Sequence, residues 1–229
     1  PTDNLEKKIW TQDLELLLCN TCKLIQNRHE MPSDKLLEEN FYLSKHSQLQ
    51  NEHNEQFVEK IVKQCTNLDA QDIILEIGCG DGELLRKFKK KGYSNIITIE
   101  PSMHDNFDYG FELFNDYFNK DVASNIIQQY TKPKVIIANY VLDVLVDLDT
   151  FVSDITSTID NDGYFIFEIT KFLHFFNTFR IDQFAHLRRS WFTIHFINIL
   201  LNKHGLYIDT INFDESYRGG TYTIITSKN

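Results

Sequence analysis

The stretch 72–100 predicts a β-α-β unit and, with it, an α/β architecture. An apolar run over 73–77 ends in the turn GCGDG, and apolar residues then follow at helical spacing. A second run of β-branched residues, 96–99, ends in Glu100. Short apolar runs that flank a glycine turn and an amphipathic helix are typical of neighbouring parallel strands.

The residue types in this turn suit a bound ligand. Gly78, Gly80 and Gly82 have no side chain, so the backbone can turn sharply there and approach a ligand closely. The helix that begins beyond them offers N–H groups and the positive end of its dipole. A carboxylate at the tip of the second strand, here Glu100, can accept two hydrogen bonds from ribose hydroxyls.

Two cofactors compete for this turn, NAD(P) and S-adenosylmethionine. The dinucleotide fingerprint is G-x-G-x-x-G, whereas this turn reads G-x-G-x-G and has Glu76 before its first glycine. A carboxylate there would repel a pyrophosphate but accept a cationic methyl donor. The stretch resembles the first motif of class I methyltransferases, E/D-x-G-x-G-x-G, which implies S-adenosylmethionine. The residues that would hold it are Glu76, Gly78, Cys79, Gly80, Gly82 and Glu100. A structural glycine turn in another α/β domain is the alternative.

Composition restricts the partners. The 229 residues can bury the core of one domain with a small appendage, and a net charge of −10 disfavours nucleic acid and anionic membranes. No run of 18 apolar residues and no signal-peptide pattern occurs. We therefore expect a soluble, cytoplasmic protein, a monomer or homodimer, that acts on a small molecule.

The N-terminal part, 1–68, is predicted to be a docking or lid segment with a helical and knuckle-like character, and 69–229 to be the catalytic domain. Cys19-x-x-Cys22 has the spacing of half a zinc site, but a structural zinc needs two more ligands, and only His29 is a candidate nearby. We favour two half-buried thiols over a metal site. Residues 34–70 are predicted to be helical, with Tyr42 facing the substrate or simply packing.

Further ligand-binding residues are expected where the later strands end, because ligands of open α/β sheets lie at the carboxyl ends of strands. In the class I layout the acid after the third strand accepts a hydrogen bond from the adenine amino group. Asp116 and Tyr117 occupy this position, with an N-cap for helix 119–130 as the alternative role of Asp116. Asn139 follows the strand 135–138 and joins the predicted cofactor site.

The whole pattern predicts a Rossmann-like class I methyltransferase sandwich, with a mostly parallel seven-stranded sheet and an antiparallel last strand. Strands are expected at 111–114, 135–138, 164–169, 206–213 and 222–226, besides the two of the β-α-β unit. The aromatic and basic stretch 170–190 is longer than a tight connection, and we interpret it as a substrate-facing insertion.

Beyond this core, the chain resembles the sugar C-methyltransferases of deoxysugar biosynthesis, which act on nucleotide-linked sugars. The matching stretches span about 14–226 in the right order. They are LLLCNTCKLIQ, ILEIGCGDGELL, TIEPS, VIIANYVLDVLVDLDTFV, GYFIFEI and GGTYTI. The family has a Tyr-His-Glu-His motif in the insertion for deprotonating the sugar. Here the corresponding residues are Ala185, His186, Leu187 and Arg188.

The differences between this chain and the family's motif favour methylation at oxygen rather than carbon. Two further histidines of the family fall on Val144 and Arg218 in this chain, so His186 is the candidate base. A hydroxyl is easier to activate than a carbon acid, so one base could suffice. Arg188 and Arg218 are predicted to bind substrate phosphates, with solvated surface charges as the alternative. A catalytically weak, cofactor-binding homologue that serves as a regulatory or assembly partner is the rival hypothesis.

Overall fold

A seven-stranded sheet forms the centre of the protein, in a computed structural model that describes residues 11–29, 47–102 and 110–228. Its strand order is β5-β4-β3-β6-β7-β10-β9. The strands are β3 (Ile74–Ile77), β4 (Ile96–Ile99), β5 (Glu112–Phe114), β6 (Val135–Ile137), β7 (Tyr164–Thr170), β9 (Leu206–Asp214) and β10 (Thr221–Lys228). The remaining strands belong to a separate small sheet.

The direction of the strands confirms the predicted class. β5, β4, β3, β6 and β7 pair in parallel, whereas β10 runs antiparallel to both β7 and β9. The three central strands β4, β3 and β6 are short and buried on both faces, as the continuous apolar runs in their sequences require. Their carboxyl ends therefore meet at one edge of the sheet, where the glycine turn lies.

Helices cover both faces of this sheet. One face carries α1 (Gln48–Gln64) and α2 (Glu83–Lys90), which bury apolar residues such as Phe57, Ile61 and Phe88. The other face carries α3 (Lys120–Gln129), α4 (Leu148–Thr158) and α6 (Ile194–Lys203). The result is the predicted three-layer sandwich. Among the described residues, no helix combines the length and the apolar character needed to cross a bilayer.

The N-terminal cysteines lie in a β-hairpin, which the sequence reading did not predict. β1 (Leu16–Leu18) and β2 (Ile25–Asn27) pair antiparallel, and Cys19 and Cys22 lie in the turn between them as free thiols. β2 also pairs with β8 (Ser190–Trp191) from the far end of the predicted insertion. Within the described chain, no group of three or more His, Cys, Asp or Glu side chains is placed to hold a metal ion.

Of the predicted helical region 34–70, the structure describes α1 and the residues that follow it, whereas 30–46 lies outside the described residues. Ser47 is the N-cap of α1, and its hydroxyl accepts a hydrogen bond from Gln50 N. Its buried stripe lies along the sheet, and its first turn reaches the loop that precedes β10. The boundary at residue 68 stays a prediction.

Candidate active site

The glycine turn forms a tight loop at the carboxyl end of β3. Gly78, Gly80 and Gly82 all have positive φ angles, of 76°, 55° and 74°. Side chains rarely tolerate this region, so the three glycines are needed for the backbone path. A Cβ atom on Gly78 would also lie 2.9 Å from Val141 Cγ2, which leaves no room for a larger residue. Gly82 is the N-cap position of α2 and provides no side chain to cap the helix.

Glu100 is tied to this loop across the ends of two neighbouring strands. Its Oε2 accepts a hydrogen bond from Gly80 N at 2.9 Å. Its Oε1 accepts from the N–H and the hydroxyl of Ser102, at 3.0 and 2.5 Å. The carboxylate is thus held in one orientation beside the glycine loop, as a ribose-binding residue has to be.

Glu76 lies in the same place but is deeply buried. Burial, reinforced by the charges of Glu100 and Asp81, raises the pKa of its carboxyl well above the usual value. Oε2 of Glu76 has no hydrogen-bond partner in the part of the chain that the structure describes. Buried carboxylate oxygens normally have a partner, so this one is suited to a ligand donor such as an ammonium group.

Two more predicted residues lie at the strand ends. Asn139 follows β6, and its buried Oδ1 is also without a hydrogen-bond partner among the described residues. Asp116 and Tyr117 follow β5 and are exposed. The alternative role of Asp116 is wrong, because the N-cap of α3 is Asn119, whose side chain accepts from Asp121 N and Val122 N. The adenine role of Asp116 stays a prediction, and its Oδ1 accepts a hydrogen bond from Tyr117 N at 2.7 Å.

These features fit the cofactor that the resemblance implies. The glycine loop admits close backbone contact, the Glu100 carboxylate is oriented beside it, and the buried oxygen atoms of Glu76 and Asn139 lack partners among the residues described. An amino acid and a ribose could satisfy these groups, whereas a pyrophosphate would meet two carboxylates. The assignment of individual cofactor contacts stays a prediction.

The protein also contains a buried polar network around His53 and Glu168, which was not predicted from the sequence. His53 on α1 lies with Nε2 2.9 Å from both carboxylate oxygens of Glu168 in β7, and Nδ1 3.6 Å from Asp214. Thr223 also donates to Glu168, and the ring of Tyr217 stacks on His53. One signal was available: Glu168 interrupts an apolar strand, and a buried carboxylate needs a partner.

Tyr140 and Arg218 extend this network toward the strand ends. The Tyr140 hydroxyl lies 2.6 Å from Thr221 Oγ1, and the Arg218 guanidinium lies 4.3 Å above the Tyr140 ring. Burial and the charge of Glu168 raise the pKa of Tyr140, so its hydroxyl stays protonated at neutral pH. Arg218 is held in place rather than being a solvated surface charge.

The predicted insertion contains α5 (Phe172–Asn177) and returns to the core at Arg188. Arg188 Nη1 lies 2.5 Å from Asp143 Oδ2 and 2.7 Å from Thr170 Oγ1, with little exposure of either charged side chain. The alternative of a solvated charge is therefore wrong for Arg188 as well. Its part in substrate binding stays a prediction.

The candidate base, His186, lies on the insertion and is partly exposed. Its Nε2 lies 2.5 Å from the backbone carbonyl oxygen of Gln12, an acceptor, so Nε2 carries the proton. Any base role would accordingly fall to Nδ1. Tyr42, the other predicted substrate contact, lies outside the described residues.

Comparison with known proteins agrees with this geometry. The methyltransferase domain family matches residues 49–211. The C-methyltransferase NovU of Streptomyces niveus is 20% identical over 209 residues, which are 90% of this chain but 49% of NovU. The chain thus spans about half the length of that curated relative.

Solved structures show the same fold. Magnesium protoporphyrin IX methyltransferase from Synechocystis, with bound SAH, has a TM-score of 0.59 at 13% sequence identity. The superposition covers 85% of this chain and 91% of the Synechocystis chain. An S-adenosylmethionine-dependent methyltransferase from Clostridium acetobutylicum has a TM-score of 0.57 at 13% sequence identity. The superposition covers 77% of this chain and 90% of the Clostridium chain.

Proposed function

Because the chain belongs to the methyltransferase domain family, as a class I S-adenosylmethionine-dependent enzyme, we propose that it methylates a hydroxyl group of a sugar or nucleotide-linked sugar. The observation that carries the sugar assignment is the resemblance to sugar C-methyltransferases over about 14–226. The replaced histidines of the insertion support oxygen as the atom that is methylated.

The cofactor supplies a methyl group on a sulfonium, which is electrophilic enough to react with an oriented nucleophile. Glu76 is proposed to pair with its amino group, Glu100 to accept the ribose hydroxyls, and Asp116 to accept the adenine amine. Tyr117 would cover the adenine ring. Much of the rate would come from positioning the acceptor, since a well-oriented reaction gains up to about 7–11 kcal/mol.

The proposed pairing of Glu76 makes cofactor binding depend on pH. The unliganded carboxyl has a raised pKa and tends to hold its proton, whereas an ammonium partner favours the ionised form. S-adenosylhomocysteine should therefore bind more tightly as pH rises above the usual glutamate range towards neutrality, where its own amino group still carries a proton. Calorimetry in buffers of different ionisation heat should detect proton release on binding.

The stability of the free protein should change with pH in the opposite direction to cofactor binding. A carboxyl whose pKa is raised in the folded state loses its proton first in the unfolded state, so the free protein should become less stable as pH rises above the usual glutamate range. Glu76→Gln should abolish both the proton release and this pH dependence. Proton release that persists in Glu76→Gln would show that another group pairs with the ligand.

His186 is proposed to accept the proton of the hydroxyl through Nδ1, with the Gln12 carbonyl fixing the ring. Loss of a general base typically reduces the rate about 10²–10⁴-fold. His186→Ala should lower kcat by such a factor and leave the affinity for S-adenosylhomocysteine unchanged. An unchanged kcat would remove His186 from the mechanism.

Methylation at carbon is the second candidate, because NovU is named a C-methyltransferase. A methyl-¹³C-labelled cofactor distinguishes the two. The product of incubation with a panel of nucleotide-linked sugars should show a new methoxy carbon signal, whereas a new C-methyl signal would establish methylation at carbon. S-adenosylhomocysteine binding without any labelled product would favour the non-catalytic homologue.

A further inference from the structure

Tyr140 lies where the chain leaves β6 and enters a single helical turn, Leu142–Val144. Its backbone is left-handed, with a φ of 56°, although a bulky side chain makes this conformation unfavourable. Strain of this kind persists only where the surrounding structure imposes it, and it is concentrated at functional sites. The fold must therefore supply contacts that hold Tyr140 in this conformation.

The residues on either side of Tyr140 both belong to the candidate active site. Asn139 has a buried Oδ1 atom with no hydrogen-bond partner in the described part of the chain. Val141 packs on the glycine loop, where its Cγ2 lies 2.9 Å from the position of a Cβ atom on Gly78. A return of Tyr140 to a negative φ would rotate these two neighbours relative to each other. The backbone of Tyr140 therefore fixes how Asn139 is presented at this edge of the sheet.

A chain of hydrogen bonds holds the Tyr140 side chain from the first residue of β10. The Tyr140 hydroxyl lies 2.6 Å from Thr221 Oγ1. Thr221 itself donates to the backbone carbonyl oxygen of Tyr217 at 3.1 Å, and a carbonyl can only accept. Because the Thr221 proton is used in that bond, the Tyr140 hydroxyl is the donor to Thr221. Thr221 is fully buried, so solvent does not compete for this bond.

Two further contacts fix the backbone and the ring of Tyr140. Its N–H donates to the carbonyl oxygen of Glu168 on β7 at 3.0 Å. The Arg218 guanidinium lies 4.3 Å from the ring centroid, which is a cation–π distance. Arg218 also has a left-handed backbone, with a φ of 48°, so two strained residues contact each other here. The left-handed turn at Tyr140 is thus held from β7, from β10 and from the loop that precedes β10.

We propose that Tyr140 is a positioning residue for the cofactor: its hydrogen bond to Thr221 holds the turn that presents Asn139 Oδ1 to a donor group of S-adenosylmethionine. Tyr140 acts through its neighbour and needs no contact with the cofactor itself. The inference concerns the cofactor side of the site, so it does not depend on which acceptor is methylated. It gives β10 a part in cofactor binding, although Thr221 is 81 positions from Tyr140 in the sequence.

Calorimetric titration of the intact chain with S-adenosylhomocysteine tests this role. Tyr140→Phe keeps the ring but removes the donor, and it should weaken binding about 2–10-fold, as expected for one net hydrogen bond. Thr221→Val removes the acceptor and should have the same effect, whereas Thr221→Ser keeps the hydroxyl and should bind like the wild type. Tyr164→Phe is the matched control, because Tyr164 is a partly buried tyrosine at the start of β7, the end away from the glycine loop.

A double variant tests whether Tyr140 acts through Asn139. Asn139→Ala should weaken binding by itself, and the addition of Tyr140→Phe should then cause no further loss. Wild-type affinity in Tyr140→Phe, or two losses that simply multiply, would overturn the inference. So would an equal loss in Thr221→Ser and Thr221→Val, or a similar loss in the Tyr164→Phe control. Urea unfolding confirms that each variant is folded, and a failure to methylate any sugar would refute the proposed function alone.

Discussion

Glu100→Ala is expected to weaken the binding of S-adenosylhomocysteine at least tenfold, which corresponds to about 1.4 kcal/mol or more. The substitution removes the carboxylate proposed for the ribose, and hydrogen bonds to charged groups contribute about 1.5–3 kcal/mol each. It also removes the acceptor of Gly80 N, which helps to fix the glycine loop. Calorimetric titration of the purified variant measures the loss directly.

Glu112→Ala serves as the control for this substitution. Glu112 lies on the neighbouring strand β5, is exposed, and has no place in the proposed cofactor site. Its affinity should match that of the wild type, and thermal unfolding should show that both variants are folded. If Glu100→Ala bound as tightly as Glu112→Ala, the proposed role at the ribose would be refuted.

The internal ion pair between Asp143 and Arg188 leads to the largest expected loss of stability. Asp143→Ala would leave the Arg188 guanidinium with a buried charge and, among the residues described, with Thr170 as its remaining side-chain partner. Removal of one member of a buried ion pair typically costs about 3–5 kcal/mol. Urea unfolding should show a correspondingly lower midpoint with an unchanged m-value.

A double variant separates the unpaired charge from the loss of packing. Asp143→Leu combined with Arg188→Met replaces both partners with apolar groups of similar size, which often restores stability. The double variant should therefore unfold at higher urea than Asp143→Ala. If both unfold at the same concentration, the destabilisation comes from the cavity or the backbone rather than from the charge. Burial raises the pKa of Asp143 while Arg188 works against that rise.

The parts that could be predicted from the sequence are those encoded by local pattern. The run 73–77, the glycine turn and Glu100 specify a strand, a loop and a second strand tip, and the structure places them as expected. The alternation of apolar runs and helical spacing then continues through β10. The seven-stranded sheet with an antiparallel last strand was expected from the resemblance to class I methyltransferases, and the structure has it.

What escaped prediction depends on contacts between residues distant in sequence. Glu168 is paired by His53, which is 115 positions away, and no local pattern marks that histidine. The N-cap of α3 is Asn119 rather than Asp116, whose side chain instead accepts a hydrogen bond from Tyr117 N. The hairpin around Cys19 and Cys22 resembled half a zinc site because its spacing is shared by tight turns and metal sites alike.

The small sheet β1-β2-β8 has a consequence for the exchange of specificity between related enzymes. β2 near the beginning of the described residues pairs with β8 at the end of the predicted substrate insertion, and the Gln12 carbonyl contacts His186. The two segments, distant in sequence, therefore support each other in this fold. A chimera that receives 170–190 alone would carry a new acceptor loop on a foreign support, whereas joint transfer of 11–29 would keep its scaffold.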